Sequence, residues 1–331
     1  MAHAGDITEL SGRELAPADI ITFGSPCQGL SIAGQRLGLA DGRSGLFSEA
    51  VRIIREMQEV TNGRYPQIAV WENVPGALSS AGGRDFKAVL EAFTESEIPM
   101  PCSGRWAKAG MVRSGRTDLA WCVYDAQYFG TAQRRRRLFL VADFRGTCAG
   151  EILFIPKSLH GYFAEDGTPR QGVTAHAQDG VGGTGKYTII MRNEVHDVLP
   201  VITTAEEIMP AVTMRIRQGC DGGGKGALLQ IEKSGTLATG NDQYLFEPPH
   251  IRSRSACGSA RLPKQGYLAR RLTPTECERL QGYPDGWTAH GHKNQPISDR
   301  KRYLMLGNSV AVPCVAYIMQ GISEVLQRRC S

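Results

Sequence analysis

The sequence predicts an α/β fold with a parallel sheet and one β-rich insert. Two apolar runs, 20–23 and 68–71, have the length and flanks of buried parallel strands, and apolar residues at helical spacing fill the interval between them. From about residue 150 to residue 268 the helical periods vanish, and short Gly- and Thr-rich runs of strand character replace them. We therefore expect two α/β segments separated by a β/loop insert.

The first segment is expected to alternate strands and helices. Apolar positions recur at helical spacing over 46–57 and again over 86–93. Two more strands are predicted over 121–124 and 138–142, whereas 99–117 shows no period. This strand–helix–strand order is typical of parallel sheets.

The insert and the C-terminal segment carry their own signals. Strands are predicted over 187–190 and 227–231. Thr273 opens a capping box with Pro274 at the first helical position, and 308–309 can cap a last helix.

Composition is that of an ordinary globular protein. The chain has 331 residues, of which 41% are hydrophobic and 21% charged, so it can bury a large core. No apolar stretch is long enough to span a bilayer, and the N-terminus has no signal-peptide core. The nine cysteines form no Cys-x-x-Cys pair, which argues against a zinc site or a disulfide framework. We expect no metal and a cytoplasmic setting.

Basic residues are clustered although the formal charge is only +5. Four consecutive arginines occupy 134–137, and a second group of basic residues comprises Arg252, Arg254, Arg261, Lys264, Arg270 and Arg271. A polyanionic partner is one interpretation and a solvated basic face is the other. Charge alone does not choose between them.

A thiol and a carboxylate follow the first two predicted strands. Cys27 lies in a Gly-Ser-Pro-Cys-Gln loop, and Glu72 begins Glu-Asn-Val-Pro. In open α/β sheets, ligand-binding and catalytic residues lie just past the carboxyl ends of the strands. Both groups are therefore expected at the same rim of the sheet, with Cys27 as nucleophile and Glu72 as proton donor. The alternatives are a structural cysteine and a loop carboxylate, but the polar loop favours an accessible thiol.

The arginine block precedes a predicted strand. In an extended chain Arg135 and Arg137 lie on one face, with Arg134 and Arg136 on the other. Two aligned guanidinium groups are suited to binding a phosphate or a ring carbonyl. The Gly-rich run at 180–186 resembles a phosphate loop, but it precedes a strand and not a helix, so we expect no phosphate site there.

Taken in order, six short motifs resemble those of the DNA (cytosine-5) methyltransferase family. They cover essentially the whole chain: Gly-Asp-Ile-Thr at 5–8, Ser-Pro-Cys-Gln at 25–28, Glu-Asn-Val at 72–74, Gln-Arg-Arg-Arg-Arg at 133–137, Arg-Leu-Thr-Pro-Thr-Glu-Cys at 271–277 and Gly-Asn-Ser-Val at 307–310. The resemblance implies a Rossmann-like class I methyltransferase sheet with an inserted target-recognition domain. It also implies S-adenosylmethionine as cofactor and double-stranded DNA as partner.

The resemblance assigns roles to the residues of the rim. Cys27 would add to C6 of a flipped cytosine, and Glu72 would hold and protonate N3. Arg137 would steady the base and the cysteine loop, with Arg135 as its partner. The activated C5 would then take a methyl group from S-adenosylmethionine.

Binding residues follow from the same motifs. Those implied for the target base and its recognition are Gln28, Ser31, Asn73, Val74, Gln133, Thr236 and Leu237. Those implied for the cofactor are Asp6 (at the adenine amino group), Ile7, Pro26, Leu46, Asn308, Ser309 and Val310.

One part of the family pattern is missing. The family begins with a strand and a glycine-rich turn that cradles the methionine part of the cofactor, yet only Gly5, Gly12 and Gly24 precede Cys27. We expect an N-terminally truncated sheet with exposed strand edges and weak or absent cofactor binding by this chain alone. Three explanations of the missing motif remain open: a start codon placed too late, a split enzyme completed by an N-terminal fragment, and a decayed gene.

The expected segments are a catalytic domain at 1–149, a target-recognition region at 150–268 and a return to the catalytic domain at 269–331. The resemblance implies a bacterial or phage modification role, with the protein acting as a monomer on DNA.

Two alternative functions remain. A catalytically silent remnant would bind DNA without a covalent adduct, and an RNA cytosine-5 methyltransferase would usually have a smaller insert.

Overall fold

The computed structural model describes residues 4–25, 45–115, 117–154, 212–217, 226–231, 233–247 and 268–330. The chain divides into two compact units. Unit 1 comprises Met1–Tyr124, Arg136–Lys157 and Ile318–Ser331, and unit 2 comprises Asp125–Arg135 and Ser158–Tyr317. This division differs from the sequence-based segments, because 269–317 groups with the insert and not with the first segment.

The strands and helices are as follows. The strands are β1 (Ile20–Gly24), β2 (Ile68–Asn73), β3 (Ala109–Arg113), β4 (Asp118–Asp125), β5 (Gln133–Arg134), β6 (Arg136–Asp143), β7 (Val212–Arg217), β8 (Gly226–Ile231), β9 (Ser234–Gly235), β10 (Gln243–Glu247) and β11 (Leu268–Arg271). The α-helices are α1 (Gly45–Val60), α2 (Arg84–Thr94), α3 (Ala149–Leu153), α4 (Pro274–Leu280), α5 (Asp299–Asn308) and α6 (Val312–Cys330).

Unit 1 is built on a five-stranded sheet of order β1-β2-β6-β4-β3. The predicted parallel pairing is confirmed for β1 and β2, which align Gly24 with Glu72. It is wrong for two other pairs, since β6 is antiparallel to β2 and β3 is antiparallel to β4. Parallel neighbours need a crossover of a dozen or more residues, usually a helix, and the described chain has no α-helix between β3 and β6.

The core of unit 1 comes from amphipathic helices and aromatic strand residues. Phe47, Val51 and Ile54 recur at helical spacing on α1 and are buried. They belong to one apolar cluster with Trp71 and Phe86. This packing fixes the end of β2, where Glu72 lies.

Unit 2 contains a four-stranded sheet of order β11-β10-β7-β8 and a short parallel pair, β5 with β9. The predicted capping box at the start of α4 is confirmed. Helix α5 was not predicted, because Leu306 is its one buried residue and no apolar period marks it. The predicted strand 187–190 and the Gly-rich run 180–186 lie outside the described residues. Within the described chain, no single helix is long and apolar enough to cross a membrane, and only α5 and α6 taken together pass that test.

Candidate active site

Glu72 and Arg137 form an ion pair at one end of the unit 1 sheet. Glu72 lies near the carboxyl end of β2 and Arg137 at the start of the neighbouring β6, with Arg137 Nε 3.0 Å from Glu72 Oε1. Their side chains are 21% and 17% exposed, respectively. The structure thus brings together two residues that the sequence predicted to be catalytic, in a site that is shielded but reachable.

Gly24 gives the Glu72 carboxylate room on its other side. It faces Glu72 in the β1–β2 register, and a Cβ on Gly24 would lie 3.4 Å from Glu72 Oε2. The chain therefore leaves β1 directly beside the carboxylate. Cys27, the predicted nucleophile, follows three positions later and lies outside the described residues, as do Pro26, Gln28 and Ser31.

Asn73 joins the ends of β1 and β2. Its side chain is 3% exposed, and Nδ2 donates to Ser25 Oγ at 3.2 Å and to the Ser25 carbonyl at 3.3 Å. Its Oδ1 accepts from Val74 N at 2.7 Å. These bonds are internal, so the substrate-binding roles predicted for Asn73 and Val74 stay predictions.

Arg135 lies in unit 2 and caps a helix. It is 3% exposed, and its guanidinium donates to the carbonyls of Ser309 and Gly307 at the end of α5. A cation at this end complements the helix dipole. Arg135 N also donates to the Gln133 carbonyl at 3.1 Å, and the strands on either side stop at Arg134 and resume at Arg136. The expectation of one extended run with Arg135 and Arg137 on a common face is therefore wrong, because a local turn interrupts it.

The predicted cofactor residues Asn308, Ser309 and Val310 follow directly from this capped end. Asn308 is the last residue of α5 and is exposed, and Ser309 Oγ lies 2.5 Å from Gln281 Oε1. A Cβ on Gly307 would lie 2.6 Å from Thr239 N, so only glycine permits this close approach. The motif residues thus have a structural role within unit 2, and their cofactor role stays a prediction.

The remaining predicted cofactor residues lie in unit 1. Asp6 is exposed, and hydrogen bonds from the backbone and side chain of Thr8 lower the pKa of its carboxyl group. The Ile7 carbonyl accepts from Arg52 of α1 at 3.2 Å. Leu46, at the start of the same helix, is 36% exposed. The segment is therefore attached to α1 while Asp6 and Leu46 stay accessible.

Gln133, Thr236 and Leu237 meet around the β5–β9 pair. Gln133 is fully buried, and its side-chain amide has no hydrogen-bond partner among the described residues. Thr236 Oγ1 donates to the Arg134 carbonyl at 3.0 Å, and Leu237 is 5% exposed in the apolar core of unit 2. Leu237 therefore has a packing role here. The substrate-binding roles of all three stay predictions.

Two described thiols are unsuited to nucleophilic attack. Burial raises the pKa of Cys122 to about 11. Burial together with the carboxylates of Glu276 and Glu278 raises the pKa of Cys277 to about 12. Because the thiolate is the reactive form, neither residue replaces Cys27 as the predicted nucleophile.

Sequence reasoning missed Ser25 and Trp71 as parts of this site. Trp71 Nε1 donates to Ser25 Oγ at 3.0 Å, beside the bonds from Asn73. No pattern marks this contact, since tryptophan in a strand predicts only burial.

A mixed sheet flanked by helices, with a carboxylate at the end of a parallel strand, places the chain in the Rossmann-like class of α/β enzymes. A family model for C-5 cytosine-specific DNA methylase matches residues 1–148 and 168–324. The chain belongs to that family.

Several proteins are similar along the whole chain. A phage P1 protein named DNA N-6-adenine-methyltransferase is 26% identical, and the match covers 99% of this chain and 56% of that protein, so the chain spans just over half its length. Type II methyltransferase M1.ScrFI of Lactococcus lactis subsp. cremoris is 27% identical over 98% of this chain and 67% of its own length. Type II methyltransferase M.HhaI of Haemophilus parahaemolyticus is 25% identical over 97% of this chain and 81% of its own length.

Solved structures show the same fold at low identity. The Dnmt2 methyltransferase of S. pombe has a TM-score of 0.52 at 14% identity and covers 97% of this chain and 84% of its own. The methyltransferase EhMeth of Entamoeba histolytica has a TM-score of 0.52 at 12% identity, with coverages of 97% and 82%.

Proposed function

We propose that this chain is a site-specific DNA (cytosine-5-)-methyltransferase. It transfers a methyl group from S-adenosylmethionine to C5 of a flipped cytosine in duplex DNA, through a covalent adduct with Cys27. The observation that supports this proposal is the Glu72–Arg137 pair beside the end of β1, which leads to Cys27.

The residue types suit this chemistry. Cytosine C5 is a poor nucleophile until the Cys27 thiolate forms a bond to C6, which makes N3 more basic. Glu72, a carboxylate in its pair with Arg137 Nε at 3.0 Å, takes a proton from solvent when the base binds and donates it to N3, which restores the ion pair. C5 then takes the methyl group and passes its own proton to water. The C6–S bond breaks, N3 returns its proton to Glu72, and the thiolate is restored.

The cofactor supplies an electrophilic methyl group, and the accessible residues of unit 1 fit its adenosine part. Asp6 offers an exposed carboxylate that can accept a hydrogen bond from an exocyclic amino group. Leu46 offers an apolar side chain that can lie against a purine ring. Asn308, Ser309 and Val310 would bind nearer the methionine end, as the family resemblance implies.

The DNA partner would be recognised by the 150–268 region. Of the predicted pair, the half-buried Thr236 would contact the DNA, and Leu237 would hold it in place from the apolar core of unit 2. Arg271, which is exposed, follows this region and would supply positive charge for phosphates, whereas the guanidinium of Arg270 is paired with Glu276. A complementary N-terminal fragment, a monomeric state on DNA and a cytoplasmic setting stay predictions from the resemblance.

The test is to express the chain and its Cys27→Ala variant in a bacterial host without DNA methylases, and to sequence the DNA for both 5-methylcytosine and N6-methyladenine. Where the chain binds S-adenosylmethionine, we expect 5-methylcytosine at one recurrent short sequence, and none with Cys27→Ala. Methylation retained by Cys27→Ala would exclude Cys27 as the nucleophile.

The same experiment separates the proposal from the name of the phage P1 relative. The adenine amino nitrogen can attack a methyl group without covalent addition of a thiol, so N6-methyladenine that persists in Cys27→Ala would replace the proposal. DNA binding without any modified base would favour a silent remnant, and methylated tRNA alone would favour an RNA enzyme. Calorimetric titration of S-adenosylmethionine into the purified chain tests cofactor binding separately.

A further inference from the structure

We propose that residues 283–301 form a second DNA-contacting surface, outside the 150–268 region assigned to base recognition. Trp287 is the aromatic centre of this 283–301 surface and would lie against the sugar–phosphate backbone. The cations that would bind its phosphates are Lys293, Arg300 and Lys301. The proposal rests on the proposed function, since it takes duplex DNA as the partner.

Trp287 differs from the three other tryptophans of the chain. Its side chain is 63% exposed, whereas Trp71 and Trp121 are buried and Trp106 is partly buried. The indole nitrogens of those three each donate a hydrogen bond to the protein. Within the described chain, Trp287 Nε1 has no such acceptor. Trp287 therefore offers both an apolar ring and a free N–H donor to a partner.

The turn that carries Trp287 is held on both sides by one buried carboxylate. Gly286 N donates to Glu278 Oε2 at 2.7 Å, and Thr288 N donates to Glu278 Oε1 at 2.8 Å. The indole is stacked on Tyr283, with ring centroids 6.0 Å apart and ring planes at 23°, and Tyr283 packs against the apolar core of unit 2. An aromatic side chain that is already fixed loses little conformational entropy on binding, so this turn is preorganised for a partner.

The first cation lies on a loop that leaves this turn. Residues 289–297 form a closed loop, because Ile297 N donates to the Ala289 carbonyl at 2.8 Å. The loop begins two positions after Trp287, and the exposed Lys293 lies in its middle. The ammonium group and the indole therefore belong to one continuous structure.

The charge on the 283–301 surface favours an anionic partner. Its two acidic residues are already paired, Asp285 with Arg279 and Asp299 with Arg302 at 3.7 Å. Three exposed cations have no carboxylate partner among the residues that the structure describes: Lys293, Arg300 and Lys301. Unpaired cations together with an exposed indole match the DNA backbone, which presents phosphates for the cations and deoxyribose for the ring.

The experiment measures the affinity for a fluorescently labelled duplex of arbitrary sequence over a range of salt concentrations. It compares the wild type with Trp287→Ala, Trp287→Phe and a triple alanine variant of the three cations. A control triple variant removes the same charge from exposed positions of unit 1: Arg64→Ala, Arg105→Ala and Lys108→Ala. Acrylamide quenching is recorded with and without DNA, and the difference between the wild type and Trp287→Phe isolates the signal of Trp287.

Each neutralised phosphate of duplex DNA contributes about 0.9 to the slope of log affinity against log salt. Loss of the three cations should therefore reduce the steepness of this slope by about 2 to 3, and the control triple variant should keep the wild-type slope. Trp287→Ala should weaken binding about tenfold without changing the slope, and Trp287→Phe should recover most of the affinity. Bound DNA should protect Trp287 from acrylamide.

The 283–301 surface would be overturned by equal slopes in the two triple variants, by a Trp287 that stays equally quenchable in the DNA complex, or by a wild type that binds no duplex. Protection by poly-L-glutamate equal to that by DNA would replace DNA with an acidic polypeptide as the partner. Methylated DNA from a chain that fails these tests would leave the proposed function standing. Protection by DNA without any modified base would reject the proposed function and leave the surface standing.

Discussion

The two units each contain a glutamate–arginine pair at the same separation, in very different surroundings. Arg137 Nε lies 3.0 Å from Glu72 in unit 1, and Arg302 Nη2 lies 3.0 Å from Glu278 in unit 2. Glu278 is fully buried and also accepts from Gly286 N at 2.7 Å and Thr288 N at 2.8 Å. Glu72 lies at the end of a strand and keeps about a fifth of its side-chain surface exposed (21%).

The difference shows that the distance between the charged atoms does not by itself reveal the role of an ion pair. Glu278 closes the turn after α4 and holds it to α5 through Arg302, so its bonds all serve the fold. The Glu72 pair lies at the rim beside Gly24, and the carboxylate keeps part of its surface exposed. Burial and the identity of the surrounding donors separate a structural carboxylate from a candidate catalytic one.

The largest expected effect comes from Glu72→Gln. An amide cannot donate a carboxylic proton to N3, so methyl transfer should fall by about 10²–10⁴-fold, while DNA affinity should change far less. Single-turnover kinetics and a DNA binding titration measure the two quantities. A variant with a normal rate would remove Glu72 from the mechanism.

Glu278→Ala should mainly affect stability. It leaves Arg302, 13% exposed, without its buried partner, and breaking a buried pair from one side costs about 3–5 kcal/mol. The free energy of unfolding in urea measures this loss. Glu151→Ala is the control, because its pair with Arg328 is exposed on both sides and should contribute little. Equal losses in the two variants would refute the structural role of Glu278.

The same carboxylate predicts a pH dependence. Burial alone would raise the pKa of Glu278, but hydrogen bonds from Thr288, Arg302 and Gly286 outweigh it and lower the pKa below the ordinary 4.5. Because the folded pKa is the lower one, the stabilisation is fully present above pH 4.5 and is lost as the pH falls through the folded value. Urea midpoints between about pH 3 and 6 should fall less steeply for Glu278→Gln than for the wild type.

The smallest effect concerns the half-buried thiol of Cys122 and the buried thiol of Cys277. With pKa values of about 11 and 12, Cys122 and Cys277 remain protonated at neutral pH, so iodoacetamide should leave them unmodified in the native chain. Peptide mass spectrometry before and after denaturation measures their labelling. Rapid native labelling of Cys277 would mean that the turn around Glu278 opens readily.

Part of the site could be predicted because it depends on residues that are close together in the sequence. The run 68–71 ending at Glu72 indicates a strand that delivers a carboxylate to the rim, and the structure places Glu72 there beside Arg137. The turn at Arg135 could not be predicted. It depends on the end of α5, which is more than 170 positions away in the sequence and offers the carbonyls that bind the guanidinium.

The sequence by itself determined the strands β1 and β2, the helices α1, α2 and α4, and the family, because apolar period, capping residues and short motifs are local properties of the chain. Only the tertiary structure decided that β6 runs antiparallel to β2 and β3 antiparallel to β4. It also decided that Arg135 caps a helix while Arg137 pairs with Glu72, and that Trp71 donates a hydrogen bond to Ser25. Those outcomes depend on which distant donors and acceptors meet in three dimensions. Buried polar groups must be satisfied by whatever partners the packing brings to them.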